Sequence, residues 1–439
     1  MAKILDQPRY KCALAAMQTV QAIPGAIPIL HSGPGCAAKL NDNRGTSGHY
    51  SPNIFPCTSV SEKEVVFGGA AKLRATVAGA LKVIDADLFV ILSGCTQEII
   101  GDDIEEIAGE FEGAAKPVLW AKTPGFKGNN YVGHDWVLKA IFEQYLREPF
   151  IEEGQEKQAG LVNLFVSVPQ QDPFWLGNLR EVERLLRSIG LVPNTIFGYG
   201  RGIENLKRIP KAEFTILVSP WAGGESAKYL ERRFAIPLLH YPYLPIGAFE
   251  TSKFLRAVQE FTGASKERTE AFISQSEAEY YYYIERFADT FLETRAMGKR
   301  FTTVSDAHYV LAITKFLVND LGLFPCTQFI TDDTPQKWRE AIKAEASNLN
   351  YGIKAPVEWN VDGHDIDEKI MDQDFAGTPL IIGSSWEEKL CKRLKAHYVN
   401  VSYPMNTRLV ISSSLAGYAG GLKLIEDIYS EALEKLAIK

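Results

Sequence analysis

Short apolar runs punctuate the chain at Ala26–His31, Asp87–Leu92, Pro117–Lys122, Leu161–Val168, Phe214–Val218, Phe301–Val304, Gln328–Thr331, Leu380–Ile382 and Tyr398–Val401. They are continuous rather than alternating, the pattern of strands buried on both faces. Between them, apolar residues recur every three or four positions, which predicts helices over Leu176–Ile189, Ser226–Phe234, Phe249–Glu260, Ala307–Val318, Lys337–Ala346 and Ser413–Leu436. Strands alternating with helices imply βαβ units, hence an α/β protein whose parallel sheets are flanked by helices. Two polar stretches read as joints: Arg147–Gln158, and Ser265–Lys299, the latter predicted as one long helix. The expected organisation is three Rossmann-like domains at 1–155, 156–297 and 298–439. They repeat an architecture, not a sequence.

Composition narrows the class. Of 439 residues, 46 % are hydrophobic and 23 % charged, ordinary values for a globular chain. A net charge of −7 gives no basic field for nucleic acid or an anionic membrane. No apolar run reaches the roughly 18–20 residues of a membrane span. Met1–Asp6 shows neither a signal-peptide nor a transit-peptide pattern. The expectation is a soluble cytoplasmic protein.

Common catalytic motifs are missing. Gly298-Lys299-Arg300 lacks the upstream glycine and the hydroxyl residue of a P-loop, so the chain is not expected to hydrolyse ATP itself. Gly198-Tyr199-Gly200-Arg201-Gly202 falls short of a dinucleotide fingerprint and reads as a glycine turn. The seven histidines lack metal-ligand spacing.

The cysteines are more informative. Cys12, Cys36, Cys57 and Cys95 fall within the first 95 residues, with only Cys326 and Cys391 beyond, and no Cys-x-x-Cys pair exists. Cys36 follows the first expected strand in His31-Ser32-Gly33-Pro34-Gly35-Cys36, and Cys95 follows the second in Ser93-Gly94-Cys95. Ligands collect outside the carboxyl ends of strands in open parallel sheets. Thiols beside glycines there are consistent with an iron–sulfur or soft-metal site, or with buried structural cysteines. Cys12, Cys36 and Cys95 are one thiolate short of the four that a cubane usually takes. A cluster would draw the remainder from another chain, a non-cysteine side chain or solvent. In Gly101-Asp102-Asp103, one aspartate is explained as a helix cap.

The chain resembles the nitrogenase component 1 family. The resemblance rests on Tyr10-Lys11-Cys12-Ala13, Gly33-Pro34-Gly35-Cys36 and Cys95-Thr96-Gln97-Glu98-Ile99-Ile100-Gly101-Asp102-Asp103. Val66-Phe67-Gly68-Gly69, Thr123-Pro124-Gly125-Phe126, Gly133-His134-Asp135, Leu176-Gly177-Asn178-Leu179-Arg180 and Ser414-Leu415-Ala416-Gly417-Tyr418-Ala419-Gly420 extend it over the whole chain. It implies that Cys12, Cys36 and Cys95 are this chain's ligands to a P-cluster-type [8Fe-7S] cluster shared with an α-type subunit. An α2β2 heterotetramer and an ATP-hydrolysing iron protein as electron donor are implied with it. Where the family's α chains anchor a catalytic iron–sulfur cofactor, this sequence has Leu217-Val218-Ser219-Pro220-Trp221 without cysteine and Val401-Ser402-Tyr403-Pro404-Met405-Asn406 without histidine. It therefore resembles a β-type subunit, with the catalytic cofactor in its partner. His240, Cys326 and Cys57 are expected to be buried core groups rather than ligands.

Two departures refine this. Gly125 stands where family β chains often have a serine able to bind the oxidised cluster. The short arm before Cys12 differs from molybdenum-type β chains and points to a nitrogenase-like reductase, with methylthio-alkane reductase as the nearest fit. A dinitrogen-reducing nitrogenase and a non-catalytic cofactor-assembly scaffold are the alternatives.

Overall fold

A computed structural model describes residues 9–40, 55–152, 154–294 and 298–437. Three parallel sheets carry the chain in sequence order. The first comprises β1 (Ala26–His31), β2 (Leu88–Ser93) and β3 (Val118–Lys122), in the order β1-β2-β3. The second comprises β4 (Leu161–Phe165), β5 (Val192–Asn194), β6 (Phe214–Val218) and β7 (Leu238–Tyr241), ordered β5-β4-β6-β7. The third contains β8 (Arg300–Ser305), β9 (Phe324–Pro325), β10 (Gln328–Ile330), β11 (Val357–Trp359), β12 (Leu380–Gly383) and β13 (His397–Asn400). Its order is β11-β10-β8-β12-β13, with β9 on β8. Every pairing is parallel. The α/β expectation holds.

Successive side chains of a strand point to opposite faces, and β2 shows both faces covered. Leu88, Val90 and Leu92 enter the main core with Val137, Leu138, Ile141 and Phe142 of the helix Asn130–Tyr145. Phe89 and Ile91 enter a second core with Leu73 and Val77 of the helix Ala70–Val83 and Ile104 and Ile107 of the helix Ile104–Gly109. Each such buried side chain stabilises the fold by about 1.5–3 kcal/mol. The main core continues through Leu164 of β4 and Leu380 of β12, joining all three sheets. The helix Lys266–Thr294 leads from the second sheet to the third and buries Ile273 and Tyr280.

The register levels the strand ends. His31 pairs with Ser93 and Ser93 with Lys122, so β1, β2 and β3 finish at one edge. The last helix starts at Gly417 rather than Ser413. The residues before it form a loop whose Leu415 and Ala416 N–H groups donate to Asn178 Oδ1 at 2.9 and 3.2 Å. Asn178 thereby ties two of the sequence motifs together. The Gly198–Gly202 segment is a glycine turn with φ of +90°, +71° and +120° at its three glycines. Among the described residues, no helix is long and apolar enough to cross a membrane.

Candidate cluster site

The level ends of β1, β2 and β3 set the site. Cys36 lies in the first turn of the helix Pro34–Leu40, just past β1, and Cys95 opens the helix Cys95–Ile100, just past β2. After β3 the chain runs through Thr123-Pro124-Gly125-Phe126, and Thr123 Oγ1 donates to the carbonyl of Ser93 at 2.9 Å. Cys12 approaches from elsewhere, on an arm whose backbone bridges Asn129. It directly precedes the short helical turn Ala13–Ala16.

Gly125 separates two of the thiols. Its N–H donates to Cys95 Sγ at 3.1 Å. A Cβ on Gly125 would lie 2.9 Å from Cys12 Cβ, too close without something shifting, and in ordinary contact with Cys12 Sγ at 3.6 Å. Cys36 joins this pair electrostatically. Cys36 is exposed as a residue; the partial burial of its thiol raises the pKa first, and the neighbouring Cys12, Cys95 and Cys57 raise it further. Cys12 is likewise raised by burial, with Cys95 adding to the rise and the N–H groups of Leu14 and Ala15 opposing it. Thiols that hinder one another's ionisation are a fitting donor set for a multivalent iron–sulfur centre, whose positive charge would deprotonate them. Among the described residues, no three His, Cys, Asp or Glu side chains are placed to hold a single metal ion. A cluster differs in that its thiolates bind separate irons.

A second layer fixes the glycine-rich loops. His31 Nε2 lies 2.9 Å from Asp102 Oδ2 and His31 Nδ1 lies 3.2 Å from Thr58 Oγ1. Gly69 donates its N–H to both oxygens of Asp102, at 2.9 and 3.1 Å. Asp103 caps the helix Ile104–Gly109 by accepting from the N–H groups of Glu105 and Glu106. So only one aspartate of the pair is a cap, and the other locks the loop after Cys95 to β1.

The remaining candidates are accounted for. Cys57 is half-buried rather than buried, bridged to Leu30 and in contact with Ser32 Oγ at 3.6 Å. Cys326 is also half-buried, its thiol 3.7 Å from the carbonyl of Asp374. His240 is also half-buried rather than buried, on an edge strand, its Nε2 2.6 Å from the carbonyl of Ser219. Sequence reasoning missed the rim of the site. Val66, Phe67 and Ile99 are 72, 82 and 72 % exposed, and Phe126, beside Gly125, is 56 % exposed.

Residues 12–433 match the family model described as nitrogenase component 1 type oxidoreductase. The chain belongs to this family. Its component 1 relatives include the nitrogenase molybdenum-iron protein beta chain of Clostridium pasteurianum, 23 % identical over 96 % of this chain and 92 % of that one. The corresponding beta chain of Azotobacter vinelandii is 24 % identical over 97 % of this chain and 82 % of that one. The solved structure of nitrogenase Cp1 at pH 6.5 superposes with a TM-score of 0.82 at 20 % identity, covering 99 % of this chain and 95 % of that one. This component 1 protein is therefore β-chain-like at low identity, in a family of oxidoreductases.

Proposed function

We propose that the chain is the β-type subunit of an ATP-dependent, nitrogenase-like reductase. In this reading it relays electrons from an iron protein, through a P-cluster-type [8Fe-7S] cluster shared with an α-type subunit, to a catalytic iron–sulfur cofactor in that partner. The observation that carries this is the meeting of Cys12 and Cys95 across Gly125, with Cys36 coupled to both.

The cluster, when bound, would supply one-electron transfer. The chain's own part is to hold and shield it. Cys12, Cys36 and Cys95 would be the ligands, and the Gly125 N–H would donate to a ligand sulfur, which favours the thiolate. The His31–Asp102 pair would keep the two loops in place. Exposed Val66, Phe67, Ile99 and Phe126 form the kind of apolar surface that a partner covers, which supports an α-type subunit and an α2β2 assembly. The lack of a P-loop agrees with ATP hydrolysis by a separate iron protein. The three sheets, each with its helices, are taken as domains at 1–155, 156–297 and 298–439.

For the substrate, we favour reductive C–S cleavage of methylthio-alkanes. The test is to isolate the complex with its partner, measure iron and sulfide, and assay methylthio-alkanes and dinitrogen in parallel with the iron protein and ATP. Cys95→Ala should lose cluster iron while the chain stays folded. An iron-free native complex refutes the cluster. Dinitrogen turnover without thioether cleavage refutes the substrate, and no turnover from an iron-replete complex points to an assembly scaffold.

A further inference from the structure

The carboxyl ends of four strands from two sheets meet around a small, partly open cavity of about 20 Å3, room for a group the size of a water molecule, that uses none of the cysteines. Val166–Val168 follow β4, Ser219–Ala222 follow β6, Asp306 follows β8 and Asp332 lies two residues beyond β10. This is where parallel sheets present ligand sites. Asp172, Asp306 and Asp332 all line it, and no lysine or arginine does. All three carboxylates are held by the chain, Asp306 Oδ1 accepting from the N–H of Tyr309 at 3.0 Å. Asp332 Oδ2 accepts from Trp221 Nε1 at 2.9 Å and Ala307 N at 3.0 Å. Asp172 accepts from Tyr309 OH at 2.6 Å and Asn178 Nδ2 at 3.0 Å.

His308 is the independent observation. It lines the same cavity, and both its ring nitrogens are sealed from solvent with no hydrogen-bond partner in the chain. A buried imidazole without a partner is costly, and its acceptor nitrogen calls for a ligand with an N–H or O–H donor. Burial also keeps the ring neutral, its pKa lowered to about 4, so one nitrogen is an acceptor. Asp306 is raised to about 7, first by burial and then by the neighbouring Asp332, so a bound cation would favour its ionised form. Tyr131 and Trp221 line the cavity as a tilted, mutually packed pair with ring centroids 5.9 Å apart, and an aromatic face there can meet a cation. Among the described residues no ligand set for a metal ion exists. A hydrogen-bonding cation suits both the carboxylates and the acceptor nitrogen of His308.

We propose that this cavity binds a small protonated nitrogen cation, ammonium or a short primary amine, held by Asp306, His308 and the Tyr131–Trp221 walls. The site is independent of the cluster reading. It is tested on the full chain by calorimetry and thermal unfolding with ammonium, methylammonium and potassium chlorides at constant ionic strength. Ammonium or methylammonium should give saturable binding, the tighter of the two identifying the source. Potassium, with equal charge but no donors, should bind about tenfold more weakly. Asp306→Asn and His308→Leu should each weaken binding about tenfold. In case a variant misfolds, 15N-ammonium added to the unaltered chain should give a bound resonance that excess methylammonium displaces. Equal effects of potassium and ammonium, binding unchanged in both variants, or no saturable binding would each overturn the proposal.

Discussion

The backbone N–H of Gly125 points at Cys95 Sγ from 3.1 Å, in a strap too close to Cys12 to carry a side chain. Gly125→Ala puts a Cβ 2.9 Å from Cys12 Cβ, so either the strap or the arm must move. Overpacking of this kind costs roughly 1–3 kcal/mol. We expect lower stability in urea unfolding and, under the proposed function, lower iron content in the isolated complex. A variant with unchanged stability and iron would show that the strap yields freely. The strap's one hydroxyl, on Thr123, is already committed to Ser93, so no side-chain oxygen from residues 123–126 should bind iron in the oxidised protein. An oxidised-state structure with such a bond sinks that expectation.

The arm carrying Cys12 is held from the third sheet. Arg9 and Glu387 form a fully buried ion pair, and Glu387 Oε2 accepts from both the N–H and the hydroxyl of Ser384 at 2.7 Å. Arg9 also lies 4.8 Å from the Trp386 ring, and Lys11 Nζ lies 4.9 Å from the Tyr403 ring. Removing one partner of a buried pair strands the other charge, at a cost of about 3–5 kcal/mol. Glu387→Ala should therefore unfold at much lower urea, and Arg9→Met with Glu387→Ala should recover a large part of the loss. A double variant no better than the single one would show that the charge is not what matters.

Much of this frame is legible in the sequence, for reasons visible in particular residues. Central strands such as β2 are buried on both faces and read as unbroken apolar runs. The short strands β5, β7 and β11 escape notice because they lie at sheet edges, where half-exposed or polar residues such as Asn194, His240 and Glu358 are tolerated. The cysteine spacing singles out the candidate site, yet the fit of Gly125 between two thiols depends on where three strand ends stop. The acidic cavity is the least legible feature. Asp172, Asp306 and Asp332 are scattered along the chain, and only the packing of two sheets brings them together.

The His31–Asp102 pair offers a separate test of loop positioning. Asp102 accepts from Gly69 N–H and faces His31 Nε2, joining β1 to the segment after Cys95. Asp102→Ala leaves the Gly69 N–H and the His31 ring without their partner, each buried loss costing about 1–3 kcal/mol. Asp102→Asn keeps an acceptor for Gly69 and should be milder. The expected order of urea midpoints is unaltered chain, Asp102→Asn, Asp102→Ala, with iron content following the same order under the proposed function. Equal midpoints for all three would remove the pair's structural role.

Acid should destabilise the protein through His134. The ring is buried, its Nδ1 is 2.8 Å from Thr19 Oγ1, and desolvation lowers its pKa to about 3. The folded value lies below the unfolded one of about 6.5, so the unfolded chain binds the extra proton. The neutral ring's contribution is complete above about pH 6.5 and is lost progressively as pH falls toward the folded value. By pH 4.5 the loss reaches about 3 kcal/mol. Asp306, raised to about 7, acts in the opposite sense: its stabilising protonated form is lost as pH rises from the carboxylate range to about 7. His134→Gln keeps a hydrogen-bonding group without the titration. It should flatten the fall in the urea midpoint between pH 6.5 and 4.5, leaving the slope above pH 6.5 unchanged. A variant as acid-sensitive as the unaltered chain would assign the loss to other groups.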